Sequence, residues 1–113
     1  MHELSIAANI LDIVLNEISS GNYKRITGLD IIIGDLSGVV GDNVKYYFEM
    51  LSRDTPAWDA TMTFEYKKSK FRCNSCEKIY ERDSFSILCP YCNNGGTVVE
   101  SYTSLYIESI EVE

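Results

Sequence analysis

Histidine is nearly missing from this chain: His2 is the only one among 113 residues. With its one imidazole at the start of the chain, the sequence offers no Ser-His-Asp or Cys-His catalytic arrangement. A G-x-x-x-x-G-K-[ST] phosphate loop is also absent, and Gly34-Asp35-Leu36-Ser37-Gly38, which lacks the lysine, reads as a turn. The chain is therefore expected not to be an enzyme. No run of 18 apolar residues occurs, so no segment has the make-up of a membrane-spanning helix. The opening MHELSIAANILDIVLNEISS carries Glu3, Asp12 and Glu17 and lacks a basic stretch before an unbroken apolar one. No secretory signal is expected, and the expected setting is a reducing cytoplasm.

Positive charge is scarce as well, with 10 Lys and Arg against 17 Asp and Glu and a net charge of -7. What there is concentrates between Lys67 and Cys92, where Lys67, Lys68, Lys70, Arg72, Lys78 and Arg82 outnumber Glu77, Glu81 and Asp83. Nucleic-acid binding wants a denser basic surface, so these lysines are read as solvated, and no nucleic-acid partner is expected.

Cysteine is confined to one stretch, and there it is informative. Cys73-Asn-Ser-Cys76 and Cys89-Pro-Tyr-Cys92 are two Cys-x-x-Cys knuckles separated by twelve residues. Four thiolates so spaced can converge on one tetrahedral ion, the arrangement of a structural zinc site. Thiolates favour zinc or iron over calcium or magnesium, so an iron centre in a rubredoxin-like carrier is the rival metal reading. Two disulfides would need an oxidising compartment. Four thiolates and one Zn²⁺ would lower the local positive balance by two charges.

Met1-His2-Glu3 is the second chemically loaded place. The terminal amine, the deprotonated His2 amide and the imidazole can close a chelate around one metal. A deprotonated amide suits square-planar Ni²⁺ or Cu²⁺, whose geometric preference offsets the loss of the proton, whereas zinc has no such preference. The structural alternative is an exposed terminal residue. Such a site binds by releasing protons and should weaken as pH falls through about 8 to 6.5.

Periodicity organises the rest. Ile6, Ala7, Ile10, Val14 and Ile18 form one stripe over residues 3–20, widened by Leu11 and Ile13, with Gly21 as the stop. A strand is read over Tyr23 to Ile33, where Ile32 breaks the polar side and predicts burial of both faces. A second helix is expected to begin near Asp42 or Asn43 as N-cap, with Val44, Tyr47, Phe48 and Leu51 inward and Pro56 beyond it. Ala60 to Tyr66 alternates strictly and reads as a strand. Another begins near Thr103, where Leu105 and Ile107 sit at opposite parity to Ile110 and Val112, predicting a bulge near Ser109 or a strand that leaves the sheet.

These elements predict an α+β fold: two helices packed on a small, about three-stranded and mainly antiparallel sheet. A zinc-ribbon-like four-cysteine module is inserted before the last strand, joining two antiparallel neighbours. The expected division is residues 1–66 with 102–113, and 67–101. The module has few large apolar residues (Phe71, Ile79, Tyr80, Phe85, Ile87, Leu88 and Tyr91), so its folding is expected to need the ion.

Taken together, the chain resembles the HypA/HybF family of [NiFe]-hydrogenase maturation proteins. The resemblance rests on Met1-His2-Glu3-Leu4-Ser5, on Ile33-Gly34-Asp35-Leu36-Ser37-Gly38-Val39, on the second helix ending near Phe48-Glu49, on both knuckles and on the closing Ile107 to Val112. It implies a nickel metallochaperone carrying Ni²⁺ as cargo, with His2 the primary nickel ligand, Met1 supplying its amine and Glu3 contributing backbone and carboxylate. Cys73, Cys76, Cys89 and Cys92 would hold structural Zn²⁺. The implied partners are the maturation GTPase HypB, the hydrogenase large subunit and, in some members, urease accessory proteins, with the chain a monomer or homodimer and no membrane partner. The chain departs from the family pattern at Tyr66 to Lys70, at Asn93-Asn94, and at Tyr102 and Ser104, none of them a ligand position. The rival from another class is a zinc-ribbon adaptor that binds protein or nucleic acid without nickel.

Overall fold

The computed structural model describes residues 2–82 and 86–113; Met1, Asp83 and Phe85, named above, lie outside them. Two helices and two three-stranded sheets make up the described chain, an α+β fold. The molecule is elongated, with extents of 55 × 23 × 17 Å. Its radius of gyration is 17.6 Å, against about 13 Å for a compact chain of this length.

Helix α1 runs Glu3–Gly21 and buries Ala7, Ile10, Val14 and Ile18 of the stripe read from the spacing, with Ile6 and Leu11 partly covered and Ile13, expected to widen it, exposed. Gly21 is its last residue; the left-handed position that stops it is Asn22, at φ 57°. An asparagine tolerates that conformation better than most side chains do. Strand β1, Ile26–Gly34, turns Leu29, Ile31 and Ile33 into the core. Ile32 is only 5% exposed although it belongs to the opposite face, where it pairs with Glu65 and Tyr106. Burial of both faces there agrees with the sequence pattern.

Helix α2, Gly41–Leu51, buries Val44 and Phe48 with Tyr47 partly covered, while Leu51 is exposed. The residue buried at that end is Ser52. Its N-cap is Val40, without a side-chain cap, and not Asp42 or Asn43. The reason is tertiary: the Tyr66 hydroxyl accepts the Gly41 N–H at 2.8 Å and the Glu3 carboxylate accepts that of Val40 at 3.3 Å. Groups from elsewhere in the fold thus satisfy amides that a local cap would otherwise serve.

Strand β2, Thr61–Lys67, pairs with β1 in parallel, and the last strand, β6, Leu105–Val112, pairs with β1 antiparallel. The order β2-β1-β6 puts β1 in the centre, so β2 and the last strand are not the antiparallel neighbours expected from the sequence. Helix α2 is the crossover that carries the chain from β1 back to a parallel partner. The register shift between Asp30 and Ile31 leaves Glu108 as the extra residue of β6. This bulge brings Leu105, Ile107, Ile110 and Val112 against one core despite their split parity.

The second sheet, order β4-β3-β5, comprises β3, Lys70–Cys73, β4, Ile79–Glu81, and β5, Gly96–Glu100, all antiparallel. Gly34 lies opposite Lys67, and Ile33 opposite Leu105, so both connections to this sheet leave the same end of the larger one. Gly34 is required by close approach: a Cβ there would lie 2.3 Å from the Tyr102 carbonyl oxygen.

Candidate metal centre

Each knuckle is built the same way. In the first, Cys73 Sγ accepts the amides of Ser75 and Cys76 at 3.4 Å, and the Glu77 N–H reaches the Cys73 carbonyl at 3.1 Å. In the second, Cys89 Sγ accepts the Tyr91 amide at 3.4 Å, and the Asn93 N–H reaches the Cys89 carbonyl at 2.8 Å. The residue four places after the leading cysteine is left-handed in both, at φ 64° for Glu77 and 63° for Asn93. Asparagine accepts that region readily and glutamate does not, so Glu77 is held there by the turn.

The four Sγ atoms lie within 4.8 Å of one another, with Cys73 to Cys92 at 3.3 Å and Cys76 to Cys89 at 3.7 Å. A tetrahedral zinc with bonds near 2.3 Å separates its sulfurs by about 3.8 Å, so the donor set fits one such ion. All four cysteines are free, and the spacing far exceeds the roughly 2.05 Å of a disulfide. Cys73 and Cys89 are buried, Cys76 and Cys92 exposed, so the centre lies at the surface of the small sheet. An ion held here would draw the two knuckles together through four thiolates.

Around it, charge is unevenly held. The Cys76 amide, followed by the Ser75 amide and the neighbouring sulfurs, outweighs the raising effect of burial and brings the Cys73 thiol down to about 6. For Cys76 the Lys78 amide acts in the lowering direction, but burial and the neighbouring sulfurs outweigh it and raise the thiol to about 11. Asn94, through side chain and backbone, lowers Cys92. Tyr80, raised by burial and then by the nearby sulfurs, donates to the Ile87 carbonyl at 2.5 Å and stacks on Phe71 with centroids 5.6 Å apart. Lys78, just past the first knuckle, sits 4.4 Å from the ring of Tyr91 within the second. Among the described residues, Phe71, Tyr80, Cys73 and Cys89 form the buried cluster of this sheet, with Leu36 packed against it.

The other expected ligands are not drawn into this centre. His2 is exposed; it caps α1 with no side-chain hydrogen bond, and its carbonyl accepts the Ile6 N–H at 3.0 Å. Glu3 is 7% exposed and its carboxylate is bonded to Val40, leaving its backbone as the part near His2.

Sequence reasoning passed over the junction between the two sheets. Ser69 is fully buried; its Oγ donates to Asp35 Oδ1 at 2.6 Å and accepts the Tyr102 N–H at 2.9 Å, while its N–H reaches Asp35 Oδ2 at 3.0 Å. Arg82 donates to the Asp35 carbonyl at 3.1 Å and lies 3.9 Å from its carboxylate. A serine among lysines carries no periodic signal, so only the folded path reveals this contact.

Comparison with known proteins adds the following. A family described as "Hydrogenase/urease nickel incorporation, metallochaperone, hypA" matches residues 1–112. A protein of Caldanaerobacter subterraneus subsp. tengcongensis named hydrogenase maturation factor HypA is 35% identical over 114 residues, covering all of both chains. One of Aquifex aeolicus with the same name is 31% identical, covering all of this chain and 98% of that one. Among solved structures, that of the nickel metallochaperone HypA from Helicobacter pylori superposes with a TM-score of 0.63 at 16% identity, covering 99% of this chain and 97% of that one. Another solution structure of a HypA protein gives 0.67 at 16% identity, covering 100% and 97%. At that identity the structures speak for the shared fold alone.

Proposed function

The chain belongs to the HypA family of hydrogenase/urease nickel-incorporation metallochaperones, and on that footing we propose that its amino end carries Ni²⁺ loosely for delivery. His2 supplies the imidazole and its deprotonated amide, Met1 its amine, and Glu3 its backbone. Zinc, held by Cys73, Cys76, Cys89 and Cys92, is the resident ion and shapes the module of residues 67–101. The body, residues 1–66 with 102–113, presents the nickel.

The observation that carries this reading is the state of His2. Its imidazole is exposed and takes no part in capping, yet its backbone begins a 19-residue helix and its neighbour Glu3 is buried and bonded. An imidazole that is fixed at its root and free at its tip can bind a metal and release it. Four thiolates closed around one ion lack that freedom and suit a permanent structural site. The onward partners in this reading are the GTPase HypB, the hydrogenase large subunit and urease accessory proteins.

Titration of Ni²⁺ into zinc-loaded wild type and His2→Ala, followed by calorimetry with zinc content measured alongside, tests the proposal. One nickel site in wild type, lost in the variant with zinc retained, is the expected result. Equal nickel uptake by both proteins would instead favour a zinc-ribbon adaptor.

A further inference from the structure

Strand β6 ends the larger sheet, so its outer edge has no partner strand among the described residues. It is eight residues long and contains no proline, lysine or arginine, and its one bulge, at Glu108, leaves regular stretches on either side open to pairing. Beside it, under α1, lie two cavities of about 410 Å³ each that share Ile13 and Ile107 as lining residues. The first is walled by Ile6, Ile10, Val39 and Leu105 and has no charged residue. The second adds Ile110 and Val112 together with Glu17 and Glu108, and no basic residue.

We propose that this trough and the free edge of β6 form a docking surface for an extended segment of a partner protein, apolar at alternate positions and carrying lysine or arginine at one end. The open edge offers backbone hydrogen bonds to an added strand, which is how extended peptides bind sheets. Alternate side chains of that strand point to the same face and so enter the trough between Ile13 and Ile107. Charge complementarity sets the basic end. Glu17 and Glu108 lie toward the C-terminal part of α1, whose last turn contains no basic residue to neutralise the helix carbonyls. The exposure left by the fold agrees: Ile13, on the α1 wall of the trough, is 51% accessible.

A second copy of this chain fits poorly. Its own β6 would bring Glu108 and Glu111 against the acids already present, and like charges opposed across strands are destabilising. The surface is defined without reference to nickel, so its test is independent of the function proposed above.

The probe is a synthetic ten-residue peptide alternating valine and threonine with two lysines at one end, made in both polarities. It is titrated into the zinc-loaded, isotope-labelled full chain and followed by amide chemical shifts. Shifts confined to β6 and the Ile6 to Glu17 flank of α1 are expected, with hydrogen exchange slowed along β6. Replacing the lysines by glutamates, or making the Glu17→Lys and Glu108→Lys double variant, should weaken binding about fivefold. Ile13→Glu, at an exposed position, should abolish it while leaving thermal unfolding unchanged. Shifts elsewhere, or affinity indifferent to peptide charge, would overturn the proposal. So would a concentration-dependent dimer of the wild-type chain that Ile13→Glu dissociates, because the occupant would then be a second copy.

Discussion

The carboxylate of Glu3 accepts the backbone N–H of Val40 at 3.3 Å across 37 positions of sequence. Through this contact the first turn of α1 is tied to the start of α2, at the end of the sheet where the connections to the metal module depart. The consequence for the His2 side chain is positional: a partly buried hydrogen bond at the next residue anchors the root of the imidazole.

Glu3→Gln keeps an oxygen that can accept from Val40, whereas Glu3→Ala leaves the amide unpaired. Val40 is half-exposed and water can reach its freed amide, so the expected loss for the alanine variant is about 0.5–1.5 kcal/mol, with the glutamine variant losing less than half of that. Denaturant unfolding of the three proteins measures the difference. Equal stability of all three would mean that the contact contributes nothing.

At the junction, Asp35 accepts both the N–H and the hydroxyl of the fully buried Ser69. Asp35→Ala strips two donors of their partner and should cost about 2–4 kcal/mol. It should also let the two sheets tumble separately. ¹⁵N relaxation would then give different correlation times for α1 and for β3, while a single common time would refute the coupling.

Metal uptake should depend on pH in a definite direction. Cys73, held near 6, is already a thiolate at neutral pH, whereas Cys76, raised to about 11, must give up its proton when an ion binds. Binding at pH 7 therefore releases protons, and affinity falls as pH is lowered, more steeply below about 6 where Cys73 also takes a proton. Calorimetry in buffers of different ionisation enthalpy counts the protons. No proton release at pH 7 would contradict this ordering of the thiols.

Removing the ion should unfold the small sheet alone. Its buried cluster is four residues, two of them cysteines, whereas the larger core has its own helices and strands. Under strong chelation, or in Cys89→Ser, the amide signals of β3–β5 should collapse while α1 keeps its helical circular dichroism. Loss of both together would show that the body depends on the metal as well.

Gly34→Ala tests the close crossing of β1 by the returning chain. A methyl group 2.3 Å from the Tyr102 carbonyl must push backbone aside, and overpacking of this kind costs about 1–3 kcal/mol. An unchanged Tm would mean that the crossing is looser than the geometry shows.

Much of the local architecture could be read from spacing. The Ala7, Ile10, Val14, Ile18 stripe, the alternation of Met62, Phe64 and Tyr66, and the parity break of β6 are periodic signals carried by neighbouring residues. The bulge at Glu108 is the clearest instance, since two sets of apolar residues at opposite parity can share one core only if an extra residue lies between them. The α2 cap at Val40 was not legible. Asp42 and Asn43 are good local caps, but Tyr66 and Glu3 satisfied the amides from a distance.

The sequence alone therefore determined the four-thiolate centre, the two helices and the alternating strands. These depend on residues a few positions apart, whose relation is settled by backbone geometry. Only the tertiary structure decided that β2 runs parallel to β1, that Glu3 turns inward to Val40, that Ser69 locks onto Asp35, and that β6 keeps a free edge above an apolar trough. Each of those depends on which distant segment becomes a neighbour, and that choice belongs to the packing of the whole chain.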